Sequence, residues 1–151
     1  RHDDIVDHAA LQARLATPVC LDESLTSPES TRQALQLGSA RVVNLKPGRV
    51  RGFRQSLAIH DLTRAWGVPL WCGGMLESGV GRAANLHLSS LPNFRLPGDT
   101  ASSSRYWDTD LINEPLEAEN GFQTIPQHGP GCGVTLNGEY LSRIQTRSAV
   151  F

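Results

Sequence analysis

Arg41-Val42-Val43-Asn44-Leu45-Lys46-Pro47-Gly48 is the stretch on which the fold turns. It is a short apolar run with two polar side chains in alternate places, closed by Pro-Gly. Runs of this length between turn residues are buried strands. Proline has no N–H to give to a ladder, so the strand stops at Lys46. Side chains alternate across a strand, which puts Asn44 and Lys46 on one face and Val43 and Leu45 on the other.

The same pattern repeats on both sides. Toward the N-terminus, Ser27-Pro28-Glu29 starts a helix: a capping hydroxyl, a proline in the first turn and an acid near the positive end. That helix continues through Ala34, Leu35 and Leu37 and stops at Gly38. Before it, Pro18-Val19-Cys20-Leu21-Asp22 is a short buried strand. Earlier still, Val6, Ala9, Ala10 and Ala13 recur at helical spacing after Asp3 and Asp4, which can cap. Toward the C-terminus, Phe53, Leu57, Ala58, Leu62, Ala65 and Trp66 mark a helix closed by Gly67. Val68-Pro69-Leu70-Trp71-Cys72 is a third strand, and Gly73-Gly74 ends it. Val80, Ala83, Ala84, Leu88 and Leu91 form one helical face, and Pro92-Asn93-Phe94-Arg95-Leu96-Pro97 is a weak fourth strand.

Strands roughly 25 residues apart with helices between them are βα units, whose crossovers need a dozen residues or more. Parallel sheets of this kind are doubly wound or barrels. No GxGxxG follows a strand, which counts against a dinucleotide fold. Four units are half of a (β/α)₈ barrel. After Asp99 the pattern changes. Ser102 to Ser104 form a loop. Leu116 to Ile125 is a short extended region broken by Asn120-Gly121, and Pro126 to Gly133 is loop. Residues 1–100 are therefore expected to be the half-barrel, and 101–151 a strap and tail.

Composition sets bounds on function. With 39% hydrophobic and 19% charged residues among 151, the balance is that of a folded domain. The net charge of −1 gives no footing for nucleic acid or an anionic membrane. No apolar run is long enough to span a bilayer, and no signal peptide is visible. The chain opens at Arg1 inside a helical pattern and is expected to be a piece of a longer protein. Cys20, Cys72 and Cys132 are expected to be buried free thiols, without zinc-type spacing, in a reducing cytoplasm. Of 14 basic residues only Lys46 is lysine. Arginine stays charged in proteins, whereas a lysine can lose its proton when its surroundings lower its pKa.

Active sites of such barrels lie at the C-terminal strand ends. Those ends carry Asp22-Glu23-Ser24, Asn44-Leu45-Lys46, Cys72-Gly73-Gly74-Met75 and Pro97-Gly98-Asp99. Asp22 and Lys46 share the inward direction on neighbouring strands, and neither is cheap to bury unpartnered. Two readings follow. One is an ion pair. The other is proton abstraction next to a carboxylate, with Asp22 as a hard oxygen ligand of Mg²⁺ and Lys46 as the base.

Cys20 to Ser24, Asn44 to Arg49, Trp71 to Gly79 with Gly81-Arg82-Ala83-Ala84-Asn85, and Leu96 to Thr100 resemble consecutive motifs of the enolase superfamily. The resemblance is to the o-succinylbenzoate synthase and N-acylamino acid racemase group, and it runs from about residue 3 to about residue 141. It implies strands five to eight of the barrel and a tail packed on an N-terminal capping domain. It implies that Asp22 is the third carboxylate ligand of Mg²⁺ (or Mn²⁺ or another divalent cation) and Lys46 one of two acid/base lysines. Asn44, Gly73, Gly74, Met75, Leu76 and Asp99 are expected to border the substrate. The other lysines and metal carboxylates of the family have no counterpart in this sequence, so the fragment alone is expected to be inactive. The implied activity is dehydration to o-succinylbenzoate in the menaquinone pathway, racemisation of N-acylamino acids, or both. Dipeptide epimerisation and muconate cycloisomerisation are the alternatives in the superfamily, and a self-associating, non-catalytic half-barrel is the alternative outside it. The expected partners are a small carboxylate substrate, the missing N-terminal half and further copies in a homo-oligomer, with no nucleic acid and no membrane.

Other side chains have simpler readings. His87 is expected to be a packed, hydrogen-bonded histidine. His60 and Asp61 are expected to be solvated in mid-helix. Arg49 and Arg51 either draw a substrate carboxylate or lie on the surface. Glu77 is expected to brace its loop or Arg82 by an ion pair. Gly129 to Gly133 follows no strand and opens no helix, so it is a weak phosphate loop.

Overall fold

The computed structural model describes residue 1 and residues 3–147. Its element order is α1 (Ile5–Arg14), β1 (Cys20–Leu21), α2 (Pro28–Leu37), β2 (Val42–Leu45), α3 (Phe53–Ala65), β3 (Leu70–Cys72), α4 (Gly79–Ser89), a 3₁₀ turn (Ser103–Arg105) and α5 (Gly138–Ile144). The chain divides into two compact units: Arg1–Met75 with Leu88–Asp99, and Leu76–His87 with the residues from Thr100 onward. No helix among the described residues is long and apolar enough to cross a membrane.

The first unit is a parallel sheet in the order β1-β2-β3. Cys20 pairs with Val42 and Leu21 with Val43; Val43 then pairs with Leu70, Asn44 with Trp71 and Leu45 with Cys72. In-register neighbours point the same way, so Leu21, Val43, Leu45 and Leu70 share the face toward the helices. There they form a core with Leu25, Ala34, Val50 and Ile59. Full burial of each leucine, valine or isoleucine here contributes about 1.5–3 kcal/mol. Asn44 and Lys46 take the opposite face, as their alternation requires.

The helix ends follow the punctuation in the sequence. Asp4 accepts a hydrogen bond from the Asp7 N–H at 2.9 Å. Ser27 and Ser30 form a reciprocal capping box at α2, and Gly38 leaves that helix with φ +73°. Helices α1 and α3 form where the spacing puts them, and their inner faces are partly polar. Val6, Ala10 and Ala13 on α1 are exposed, and the buried residue is Gln12. Its side chain accepts from the Val19 N–H at 2.6 Å and donates to the carbonyls of Leu15 and Thr17, which stitches the turn into β1. On α3, Phe53, Leu57 and Trp66 are exposed, while Ser56, Ile59, His60 and Thr63 face inward. Apolar periodicity marks a face without saying which side is covered, and here hydrogen-bonded polar groups take the inner side.

Three expectations need correcting. Residues 92–97 form no full strand but a single parallel bridge, Leu70 to Phe94. Leu70 N–H donates to Asn93 and Arg95 N–H to Leu70, and Pro97 has no N–H with which to extend the ladder. Cys20 is exposed rather than buried, because it lies on the face away from the helices; Cys72 is buried and Cys132 half-buried. His60 is buried, not solvated. Its Nε2 accepts from Asn93 N–H at 3.2 Å and its Nδ1 lies 2.9 Å from Asp61, and its ring stacks on Phe94.

The second unit has a small core of Ala83, Leu86, Ile112 and Leu116. Polar braces do much of the rest. Asp110 accepts from Gly79 N–H at 2.7 Å, at the start of α4. Arg82 is almost wholly buried. It donates to the carbonyls of Ala101 (2.5 Å) and Glu77 (2.7 Å) and lies over the Tyr106 ring. The Glu77 carboxylate also accepts from Asn85 at 3.1 Å, while Arg82 meets Glu77 at its carbonyl. His87 is half-buried and meets the Cys132 carbonyl at 3.1 Å, as expected. Asn120 and Gly121, both at positive φ, turn a bridge between Glu119 and Phe122, which accounts for the extended region foreseen there. Helix α5 was not foreseen; Asn137 caps it by accepting from Tyr140 N–H. The last four residues of the expected 101–151 segment lie outside the described ones.

Candidate active site

Parallel pairing brings the ends of β1 and β2 side by side. Lys46 Nζ lies 2.8 Å from Asp22 Oδ2 and 3.3 Å from Glu23 Oε1. The ion pair that spacing allows is therefore formed. Partial burial alone would lower the Lys46 pKa, but its hydrogen bonds to Asp22 and Glu23 outweigh burial and hold it above the ordinary lysine value.

Arg49 takes the other Asp22 oxygen and anchors the cluster. Its Nη1 donates to Asp22 Oδ1, its Nη2 to the Asn44 carbonyl at 2.5 Å and its Nε to the Leu25 carbonyl at 2.9 Å. Its side chain is only 10% exposed. Neither sequence reading of Arg49 describes this role, which is to fix Asp22 from below. The turn makes the reach possible: Arg49 N–H donates to the Lys46 carbonyl at 3.0 Å, so Pro47-Gly48 folds Arg49 back under the strand it follows. The three-residue step from Lys46 to Arg49 across Pro-Gly was the available signal. Glu23, the second acid at Lys46, was legible only as a neighbour of Asp22. Arg51 is exposed, with φ +69°.

The remaining candidates flank this cluster. Asn44 is 1% exposed, and its Oδ1 has no hydrogen-bond partner among the described residues. Its amide lies against Gly73, where a Cβ would overlap it. Gly73 N–H donates to the Leu45 carbonyl at 3.1 Å, and Gly74 N–H donates to Asp99 Oδ1 at 2.6 Å. Met75 is half exposed, and its Sδ would lie 3.3 Å from a Cβ at Gly48. The first unit thus gathers Asp22, Lys46, Asn44, Gly73, Gly74, Met75 and Asp99. Leu76, exposed at φ +60°, falls in the second unit.

This arrangement offers a carboxylate with a lysine against it at adjacent strand ends. Among the described residues no three His, Cys, Asp or Glu side chains cluster as a complete metal site. Residues 1–140 match the enolase C-terminal domain-like family.

The chain belongs to that family.

Members of known structure and known name agree with it. The chain is 52% identical over 143 residues to N-succinylamino acid racemase of Thermus thermophilus, covering 95% of this chain and 38% of that protein. It is 47% identical over 149 residues to o-succinylbenzoate synthase of Bacillus subtilis, covering 99% of this chain and 40% of that protein. The crystal structure of an unknown member of the enolase superfamily from Enterococcus faecalis superposes with a TM-score of 0.90 at 45% identity, covering 95% of this chain and 38% of the other. The chain therefore spans about two fifths of the length of these family members, and its parallel βα architecture is that of the enolase C-terminal domain.

Proposed function

We propose that the protein carrying this chain removes a proton next to a substrate carboxylate, as an o-succinylbenzoate synthase, an N-acylamino acid racemase or both. The observation that carries this is Lys46, the one lysine of the chain, seated 2.8 Å from Asp22 where two parallel strands end. Residues 1–100 then correspond to strands five to eight of the barrel, and 101–151 to a strap against an N-terminal capping domain.

Asp22 is a hard oxygen donor of the kind Mg²⁺ prefers. It fits as one ligand of a set, since no complete cluster exists among the described residues. A bound divalent cation supplies the positive charge that makes a proton beside a carboxylate acidic. The work of this chain's own residues is narrower. Arg49 fixes the orientation of Asp22. Lys46 stays protonated near neutral pH while Asp22 and Glu23 both pair with it, so it serves as a base only when that pairing loosens. Once protonated, Lys46 holds the abstracted proton at Nζ, where it can be returned. Asn44, Gly73, Gly74, Met75 and Leu76 border the substrate, and Asp99 shapes that border through the Gly74 N–H it holds.

Lys46→Ala and Lys46→Arg, made in the full-length protein, test this. Arginine keeps the ion pair but stays protonated. Both variants should lose turnover of the succinylated cyclohexadiene acid and of N-acylamino acids by about 10⁴-fold or more, at or beyond the upper range of general acid–base help. In deuterated water, exchange of the α-proton should vanish for one enantiomer and persist for the other. Wild-type exchange of both enantiomers in Lys46→Arg would reduce Lys46 to an ion-pair partner.

A further inference from the structure

The segment after β3 has no regular structure, yet its backbone is fastened at successive points. Gly73 N–H is held by Leu45, and Gly74 N–H by the Asp99 carboxylate at 2.6 Å. Asp99 is itself fixed, its own N–H donating to the Cys72 carbonyl at 3.2 Å. That approach needs Gly98, since a Cβ there would stand 2.8 Å from the same carbonyl. Beyond Gly74, Met75 reaches the Gly48 turn that separates Lys46 from Arg49. Asp99 forms no ion pair with any described residue. Among the described residues its carboxylate meets no cation, and its Oδ1 accepts from the Gly74 N–H.

We infer that Asp99 is a positioning residue: it sets the Gly73-Gly74 backbone, and through it the placement of Met75 against the Lys46-Pro47-Gly48-Arg49 turn, without touching substrate. This rests on the proposed function and narrows it. Asp99 governs how well the substrate fits, while proton transfer belongs to Lys46. A carboxylate that only accepts an N–H can be replaced by any acceptor of the same shape. A carboxylate that meets a substrate donor or a bound cation by its charge cannot.

Asp99→Ala and Asp99→Asn in the full-length protein separate these cases. Two things are measured: hydrogen exchange at the Gly74 amide, and KM and kcat for both substrates. Removing a charge-assisted hydrogen bond should speed Gly74 exchange in the alanine variant by about 10- to 100-fold. KM should rise by about ten-fold with a smaller fall in kcat, as expected when binding rather than the chemical step is disturbed. The asparagine variant, whose Oδ1 still accepts, should stay within about three-fold of wild type in all of these. Asparagine as damaging as alanine, with Gly74 still protected, would show that the charge meets substrate directly and overturn the inference. Unchanged Gly74 protection in the alanine variant would overturn it too. Should alanine prevent folding, asparagine alone decides: wild-type KM and protection support positioning, and their loss refutes it. Should the wild-type protein turn over neither substrate, the proposed reaction fails while Gly74 exchange still tests Asp99.

Discussion

Arg1–Met75 and Leu88–Asp99 bury a large apolar cluster of leucine, valine, isoleucine and alanine, and backbone groups are satisfied by a parallel ladder and by helices α1 to α3. In Leu76–His87 and the described residues from Thr100 onward the apolar cluster is small. Side chains there reach for backbone instead: Asp110 for Gly79, Arg82 for Ala101 and Glu77, Glu114 for Thr135 and Glu117 for Ser104. The first region is stabilised by area removed from water, which tolerates similar apolar residues. The second depends on individual donors and acceptors, and at the part-buried braces of Asp110 and Arg82 losing one partner leaves the other unmet.

The contrast breaks if the two regions respond alike to truncation. Ile59→Ala removes a side chain with no exposure from the first core and should cost about 2–5 kcal/mol, with effects spread over β1 to β3. Arg82→Ala in the second unit leaves two carbonyls without their donor and should cost about 2–5 kcal/mol as well. The two should differ in rescue. Ile59→Val should recover most of the loss, because volume and polarity are nearly kept. Arg82→Met, which keeps the volume without the donors, should not. Denaturant unfolding of the full-length protein with hydrogen exchange measures both, and a good rescue by methionine would show that the second unit, too, is held by packing.

The glycine under the site sharpens the same contrast at smaller scale. Gly73→Ala drives a methyl into the Asn44 amide inside the first unit. Overpacking of this kind costs about 1–3 kcal/mol. Pairing it with Asn44→Ala opens the space again, so the double variant should be more stable than the sum of the two singles predicts. Strict additivity in the double-mutant cycle would mean that the loop shifts freely and that Asn44 does not constrain it.

The first region was legible because its signals are local. Ser27-Pro28-Glu29, Gly38, Pro47-Gly48 and Gly73-Gly74 punctuate the chain where elements end. The alternation from Val42 to Lys46 foretold which side chains meet the helices. The pairing of Asp22 with Lys46 followed from register. What escaped is long-range or polar. The inward faces of α1 and α3 are set by Gln12 and His60, whose partners Val19 and Asn93 lie 7 and 33 residues away in the chain. Nothing in a local window distinguishes those polar residues from solvated ones. Arg49 was visible as a cation but not as a brace, since its acceptors are the carbonyls of Leu25 and Asn44 and the Asp22 carboxylate. The second unit hid α5 for the same reason: Gly138–Ile144 is short and presents no buried stripe, so Asn137 was its only mark.

Acid should discriminate between the regions most gently. Two hydrogen bonds from Thr135, the backbone N–H first and then the hydroxyl, hold the Glu114 carboxyl below the usual glutamate range. The Ser104 hydroxyl does the same for Glu117, helped by the Ser104 N–H and opposed by slight desolvation. A carboxyl whose folded pKa is depressed adds stability that is fully present above its unfolded pKa of about 4.3 and is lost as pH falls through the folded value. Protonation removes the acceptor charge, so these braces should slacken below about pH 4.3 and not above it. Both residues are half-buried, but the hydrogen bonds of their carboxylates are open to water, and solvent screening keeps the effect small. The place to look is therefore local. The amide resonances of Thr135 and Ser104 should titrate together with the two glutamates, and Glu114→Gln and Glu117→Gln should each abolish the titration at their own partner. The backbone amides of Val42 and Val43, tied to Val19 and Pro69 in the ladder, should stay still over the same range. Movement of the ladder amides with the same midpoint as Thr135 would mean that the two regions do not differ in what holds them together.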